Sequence, residues 1–459
     1  MKTITRRASV LFVLIAAFFI GLGFLLFSFI THGSTWASSR LNTHVFTNRQ
    51  LAAAGAVLDR NGKVLVETKD GARVWTADST LRKASLHLVG DAEGYISTGV
   101  QTLYRSSLIG YNFVNGLYRT GEDGGNDVRL TIDSEAQKAA YNALGGGKGT
   151  ICAYNYRTGE VLCMVSAPTY DPMYKPSSMN TSAGGAYDGV YMNRFLNGVF
   201  TPGSTFKVVT AICALDNLPN VRKRSFTCTG SYKIGDSAVK CNGVHGKLTF
   251  ERALNVSCNS VFAELAKELG NDALTATVRQ LGFGKNVKVS GALTTKSTFD
   301  LRGAAAIDRG WAGIGQYTTL VNPCQMLMLA GAIANGGTAI VPYVVESSSK
   351  LLDVKGQVNK NIQLSETDAK IMRKLLRSNV ENYYGDSRFP NLQFCGKTGS
   401  AEVIGGRSHA WFFGFSLRSD FPVAIVVCLE NGGIGLNNAV PAANKVLQAI
   451  KNSTFQIPN

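Results

Sequence analysis

The sequence predicts an α+β protein: one antiparallel sheet with helices on both sides, carried behind a single apolar N-terminal span. Three observations carry that expectation. An alternating hairpin pattern runs through Thr150–Tyr156 and Glu160–Ser166, around the turn Arg157-Thr158-Gly159. A strand-like run closes the chain, from Gln393–Ser400 through His409–Phe415 to Pro422–Leu429, the last two joined by Arg418-Ser419-Asp420. Between the two lie segments with helical spacing. No internal repeat is detectable.

In chain order, Val10 to Phe29 is almost wholly apolar and uncharged, long enough to cross a hydrocarbon core of roughly 30 Å. Lys2, Arg6 and Arg7 precede it, which favours a cytoplasmic N-terminus with the rest outside. A cleaved signal peptide is the rival reading. Thr31-His32-Gly33-Ser34 makes a poor cleavage site for it. The span is therefore expected to be an anchor, residues 1–32 forming cytoplasmic tip and membrane helix. Residues 33–127 look like a β-rich pedestal without chemistry, with strand, Asn61-Gly62 turn and strand over Gly55–Val66. The apolar-free stretch Gly121–Asp127 marks a junction, and 128–459 forms the second domain.

In that second domain, Val128–Asp133 reads as a strand and Ser134–Leu144 as a helix ended by Gly145-Gly146-Gly147. A helix is expected to start at Ser204, after Pro202-Gly203, with Phe206, Val209, Ile212 and Leu215 on one face. Phe250–Leu254 and Ser260–Leu269 are helical around a break at Ser257-Cys258-Asn259, and Asn271 can cap a further helix to Leu281. Pro323–Asn335 is an apolar helix closed by Gly336-Gly337. Ser365 and Asp368 are spaced as a capping pair, and Asn438–Ile450 is a closing helix.

Composition sets the outer limits. With 459 residues, 45% of them hydrophobic, the chain can build two or three domains and a sizeable core. A formal charge of +16 points to an anionic neighbour such as lipid headgroups. No basic run is interleaved with aromatics, which argues against nucleic acid.

The chemistry concentrates at Ser204-Thr205-Phe206-Lys207. Residues three apart share a helix face, so the Lys207 amine can reach the Ser204 hydroxyl. Serine becomes a nucleophile when a neighbouring base takes its proton, and lysine is such a base only when burial or a nearby cation lowers its pKa towards neutrality. The spacing alone is common: Ser347-Ser348-Ser349-Lys350 repeats it in a polar stretch. Its company gives it weight. Ser257-Cys258-Asn259 follows, and then Lys397-Thr398-Gly399, the ordered trio of serine β-lactamases and penicillin-binding proteins. Ser178-Met179-Asn180 and Arg157-Thr158-Gly159 are decoys for these two.

From about Val128 onward the chain resembles the transpeptidase domain of the penicillin-binding proteins, and the anchor with Gly55–Gly62 resembles the monofunctional class B members. The resemblance rests on Leu130-Thr131-Ile132-Asp133, Ser166-x-Pro168 before Asp171-Pro172, the three motifs above, Gly313-x-Gly315-Gln316 and Ala334-Asn335-Gly336-Gly337. It implies the serine β-lactamase/penicillin-binding transpeptidase fold. It also implies a D,D-transpeptidase that acylates Ser204 with peptidoglycan stem peptides and is inhibited by β-lactams. On the same fold, a D,D-carboxypeptidase, a β-lactamase and a β-lactam receptor are the alternatives.

The resemblance assigns roles too. Lys207 is the base, with Lys397 helping to keep it neutral, and Ser257 relays a proton. Asn259 holds Lys207 and the substrate amide. Lys397, Thr398 and Ser400 bind the terminal carboxylate, and Gly399 admits the substrate backbone. The N–H groups of Ser204 and Ser400 form an oxyanion hole. No cofactor is needed, and a polytopic glycosyltransferase of the SEDS family is the implied partner. Ser400 replaces the usual Thr, and Ala54-Gly55 the usual Arg-Gly.

Nine cysteines cannot all pair within the chain. Cys163, Cys213, Cys324 and Cys428 read as core residues. Cys228, Asp236, Cys241 and His245 lie within 18 residues and could form a structural tetrahedral zinc site. A Cys228–Cys241 disulfide and unpaired thiols are the other two readings.

Overall fold

An exposed helix, Lys2–Ala37, opens the chain, and its window Ile4–Ala37 is long and apolar enough to cross a membrane. Among the described residues it is the one helix that meets this test. The structure, a computed structural model, describes residues 2–39, 46–47, 50–51, 54–112, 116–117, 125–347 and 356–453. Most of the expected junction, residues 121–124, lies outside them, as do 348–350 of the Ser-x-x-Lys decoy.

The segment expected to be a β-rich pedestal is β only at its start, and this corrects the sequence reading. Strands Val57–Leu58, Val64–Lys69 and Ala72–Trp75 are followed by four short helices, Ser79–Ala84, Leu86–Val89, Val100–Leu103 and Arg105–Leu108. One turn of helix spans too few residues to show a 3.6-residue period, so such elements leave little trace in sequence. Val128–Leu130, expected to open the second domain, pairs in parallel with Val57–Leu58 and joins this sheet, whose other edge is Val345–Ser347. The guanidinium of Arg82 forks onto the Asp171 carboxylate at 2.8 and 2.7 Å, tying the helical part to the loop after the hairpin. Both side chains are largely buried.

The main sheet is antiparallel and five-stranded, in the order Phe394–Ala401, His409–Ser416, Val423–Leu429, Gly149–Asn155, Val161–Ala167. Its strands are apolar on both faces because both are covered. Ile151, Ala153, Phe412, Ile425 and Val427 pack with the helices Ser134–Ala143 and Gly435–Asn452. Cys152, Tyr154, Trp411, Phe413 and Val426 pack with Pro323–Ala334 and the helix after Ser204. The predicted cap at Ser365 is in place, its hydroxyl accepting from Asp368 N–H, and Asp133, read only as the end of a strand, caps its helix by accepting from the Glu135 and Ala136 N–H groups. Cys163, Cys213, Cys324 and Cys428 are buried in the core as expected.

The two expected helices are separated at Gly270, whose φ of +81° and ψ of 173° are non-helical and open to glycine, so the helical stretch from Asn259 breaks there before continuing to Gln280. Asn271, expected as a cap, instead donates from Nδ2 to the Leu301 carbonyl at 3.0 Å. Between the serine helix and this one stand two small hairpin sheets with no counterpart in the sequence reading. Ser225–Cys228 pairs with Gly246–Thr249, and Ser231–Ile234 with Ser237–Lys240.

Candidate active site

The nucleophile candidate sits on a tightened first turn. Gly203–Phe206 is 3-10, and the α-helix proper runs Lys207–Asn217, so the expected helix forms with its start shifted. Glycine is required twice around this turn. A Cβ on Gly399 would lie 2.7 Å from the Pro202 carbonyl oxygen, and one on Gly315 would lie 2.1 Å from that of Gly203. The Gly315 carbonyl accepts from Gly203 N–H at 2.9 Å, and Trp411 Nε1–H donates to the Thr201 carbonyl at 3.0 Å. Gly399 thus makes room for the nucleophile's own turn, in addition to any substrate.

The three motifs meet at the Ser257 hydroxyl, which both buried lysines reach. Lys207 Nζ lies 3.1 Å from Ser204 Oγ, 2.6 Å from the Ser257 carbonyl oxygen, 3.1 Å from Ser257 Oγ and 2.6 Å from Asn259 Oδ1. Lys397 Nζ reaches the same Ser257 Oγ at 3.0 Å and the Thr398 carbonyl at 3.0 Å. Ser257 holds a left-handed φ of +54°, a conformation that costs a non-glycine residue energy and persists where surroundings fix it. Neither decoy takes part: Arg157-Thr158-Gly159 is the hairpin turn, and Ser178-Met179-Asn180 lies in a loop.

Both lysines are fully buried, and no carboxylate pairs with either among the described residues. Burial pushes the Lys207 amine down to about 7. Lys397 is pushed well below its usual range, by burial first and then by the neighbouring Lys207. Of the two causes expected for Lys207, burial and a nearby cation, burial is the one that acts. A neutral Lys207 has two hydrogens and one lone pair. The Ser257 carbonyl and Asn259 Oδ1 only accept, so they take both hydrogens. The Asn259 amide is oriented for this because its Nδ2 donates to the Lys240 carbonyl at 2.9 Å. The lone pair is left for the hydroxyls, as a general base for Ser204 requires.

Thr398 and Ser400 follow Lys397 along the strand. The Thr398 hydroxyl meets Tyr384 Oη at 3.1 Å, and Ser400 Oγ accepts from Gly435 N–H at 3.1 Å. Ser400 is exposed and Ser204 half-buried, so the face carrying both is open to a ligand.

A second cluster touches the first. Cys228, Cys241, His245 and Cys258 bring their ligand atoms within 4.8 Å of one another. This corrects the predicted set in one member. Asp236 is exposed in the turn between Ser231–Ile234 and Ser237–Lys240, while Cys241 follows the far end of that hairpin. Cys258 takes the fourth place. Its signal was present in sequence as the middle of Ser257-Cys258-Asn259, where the motif reading had already used the triplet. All nine cysteines stand as free thiols. Cys241 is driven towards the thiolate by the hydrogen bond of the Cys258 thiol and by backbone N–H groups, that of Asn259 at 3.2 Å among them.

Comparison with known proteins agrees with this geometry. The model of the penicillin-binding protein transpeptidase domain matches residues 149–450. The chain is 28% identical over 375 residues to the peptidoglycan D,D-transpeptidase PbpA of Mycolicibacterium smegmatis, covering 74% of this chain and 76% of that protein. It is 28% identical to MrdA of Acinetobacter baumannii over 71% of this chain, and there spans only 54% of the relative's length. The penicillin G acyl-enzyme complex of penicillin-binding protein A from M. tuberculosis superposes with a TM-score of 0.74 at 25% identity, covering 87% of this chain and all of that one. With the family match over most of its length, and the three motifs gathered around the Ser257 hydroxyl, the chain belongs to the penicillin-binding protein transpeptidase family.

Proposed function

We propose that this chain is a membrane-anchored serine D,D-transpeptidase that cross-links peptidoglycan stem peptides through an acyl-enzyme on Ser204 and is inhibited by β-lactams. The observation that carries the reading is the buried Lys207 amine, whose lone pair is left to Ser204 Oγ at 3.1 Å. In this reading Lys207 takes the Ser204 proton as the hydroxyl attacks the carbonyl between two D-alanines. Ser257, hydrogen-bonded to both lysines, returns a proton to the departing D-alanine. Lys397, Thr398 and Ser400 hold the terminal carboxylate, and the Ser204 and Ser400 N–H groups receive the oxyanion. An amine of a second stem peptide then takes the acyl group. The named relatives support this chemistry: PbpA is a peptidoglycan D,D-transpeptidase, and the structural neighbour is a penicillin G acyl-enzyme.

The apolar window Ile4–Ala37 supports an anchor, with residues 1–32 as tip and membrane helix, 33–127 as pedestal and 128–459 as catalytic domain outside the membrane. A SEDS-family glycosyltransferase is the partner proposed for anchor and pedestal.

The sulfur cluster is proposed as a structural zinc site of Cys228, Cys241, His245 and Cys258. A tetrahedral zinc with bonds of about 2.3 Å to sulfur and 2.0–2.1 Å to nitrogen needs edges of about 3.8 Å between sulfurs and 3.5 Å between sulfur and nitrogen. The distances are 3.7 Å for Cys241–Cys258 and 3.5 Å from His245 Nδ1 to each of Cys228 and Cys241. Bound there, the metal would hold three thiolates together beside Asn259 and leave catalysis to side chains. Metal analysis finding no zinc, with a mass two units low per bridge, would give the disulfide reading instead.

The activity is tested by supplying full-length protein with a stem pentapeptide donor and an amine acceptor. Cross-linked product dependent on Ser204 is expected. Release of D-alanine with hydrolysed donor alone would make the enzyme a carboxypeptidase.

A further inference from the structure

The strand Phe394–Ala401 is an edge of the main sheet, so half of its backbone polar groups face away from the sheet. Side chains from the next elements close that edge group by group. Arg377 Nη1 donates to the Phe394 carbonyl at 2.9 Å, and Asn379 Nδ2 to the Gly396 carbonyl at 3.0 Å. Thr398 N–H donates to Tyr384 Oη at 3.1 Å. The next outward-facing N–H beyond Thr398 is that of Ser400, an exposed residue. Tyr384 is the last member of the closure, and it also touches the Thr398 side chain.

Counting hydrogens at Tyr384 fixes a direction. The backbone N–H of Thr398 can only donate, so Tyr384 Oη accepts there. The phenol has one hydrogen, and among the described residues its only other hydrogen-bond partner is the Thr398 hydroxyl oxygen, 3.1 Å away. Were Thr398 to donate instead, the buried phenol hydrogen would be stranded. Burial also pushes this phenol up to about 12, so it keeps its proton at neutral pH. With its acceptor side filled by Tyr384, the Thr398 hydroxyl turns its own hydrogen towards the open face. Ser400 is polarised the same way, because its oxygen accepts from Gly435 N–H.

We propose that Tyr384 is a positioning residue that makes Thr398 an obligate hydrogen-bond donor, tuning the site for the carboxylate that ends the acyl donor or that a β-lactam carries. A carboxylate takes charge-assisted hydrogen bonds on two oxygens, whereas an ester offers one neutral carbonyl and an amide brings donors of its own, so two hydroxyls with hydrogens turned outward, beside Lys397, favour the carboxylate. The proposal rests on the transpeptidase reading above. Tyr384 belongs to none of the three motifs. It is placed by the widened turn Val380–Tyr384, which ends at Gly385 with φ +94°; such π turns recur at functional sites.

The test uses the full-length protein in detergent and compares acylation of Ser204 by penicillin G and by its methyl ester. In Tyr384→Phe the efficiency with penicillin G is expected to fall about tenfold, the effect lying in binding rather than in the acylation step. The ester is expected to change little, so the acid-to-ester preference collapses. On a Thr398→Val background the same change is expected to add nothing, whereas Thr398→Ser retains the preference. Equal loss for acid and ester, no loss, or an effect additive with Thr398→Val would overturn the proposal. Thermal denaturation shows whether Tyr384→Phe folds. If it does not, the acid-to-ester preference of Thr398→Val decides, and an undiminished preference overturns the proposal. Failure of the wild-type protein to acylate at all would instead remove the transpeptidase reading.

Discussion

Two clusters of buried polar side chains share the three residues Ser257-Cys258-Asn259 and handle protons in opposite ways. On one side, Ser257 and Asn259 hold a lysine that burial strips of its charge. On the other, Cys258 joins two cysteines and a histidine, where hydrogen bonds draw Cys241 towards the thiolate. Alternate side chains of one short segment thus face a general base and a candidate metal site. The first cluster is held by helix spacing and a left-handed Ser257. The second is held by two small hairpins that bring Cys228, Cys241 and His245 to the same point. If the account is right, damage to either cluster reaches the other through a single peptide bond, with unequal cost.

The largest expected effect is on the lysine side. Lys207→Met removes the base while keeping an apolar stem of similar length, and Ser204 acylation is expected to fall by about a thousandfold. A fall below tenfold, read by intact mass over time, would pass the role of base to Lys397.

The sulfur side comes second. Cys258→Ser or Cys228→Ala is expected to lower acylation about 10–100-fold, as loss of groups that orient a site commonly does, and to lower the melting temperature. Asp236→Ala is expected to change neither, because the side chain is exposed at a hairpin turn. The reverse pattern would restore the ligand set read from sequence.

A smaller effect separates the clusters by pH. Lys207 acts when unprotonated, and its pKa stands near 7, so acylation is expected to rise with pH through about 7 and then level. A rate flat from pH 5.5 to 8.5 would show that the amine is neutral throughout. Smaller still is the contribution of the Arg82–Asp171 pair, remote from the chemistry. Asp171→Asn is expected to cost roughly 3 kcal/mol of stability while leaving the acylation rate of folded protein within twofold.

The two clusters also differ in how far they were legible. The catalytic one reads directly because its parts sit in local motifs, where three-residue helix spacing and an apolar strand around Lys397 place the side chains. Its electrostatics were read in part: burial or a nearby cation was expected to lower the Lys207 pKa, and only the packing around Lys207 decides that burial does so. In the sulfur cluster, proximity in sequence picked out Cys228, Cys241 and His245, which the fold does bring together, but put Asp236 where Cys258 stands. The choice turned on a hairpin whose polar, alternating residues give no hydrophobic period. The main sheet was readable because turn residues such as Arg157-Thr158-Gly159 and Arg418-Ser419-Asp420 set off its strand runs, although the hairpin read as alternating is buried on both faces. The four short helices between Ser79 and Leu108 were not, since four to six residues carry no period. Tyr384 had no motif, and its role depends on a five-residue π turn that only the backbone reveals.

The central claim is that Ser204 is the group Lys207 activates. The most direct measurement is the intact mass of the full-length protein after incubation with penicillin G, beside Ser204→Ala. A single stable adduct in the wild type, mapped by digestion to the peptide carrying Ser204 and absent from the variant, is the predicted result. An adduct that persists in Ser204→Ala, or none in either protein, would contradict the account. Rapid loss of the adduct would make the protein a β-lactamase.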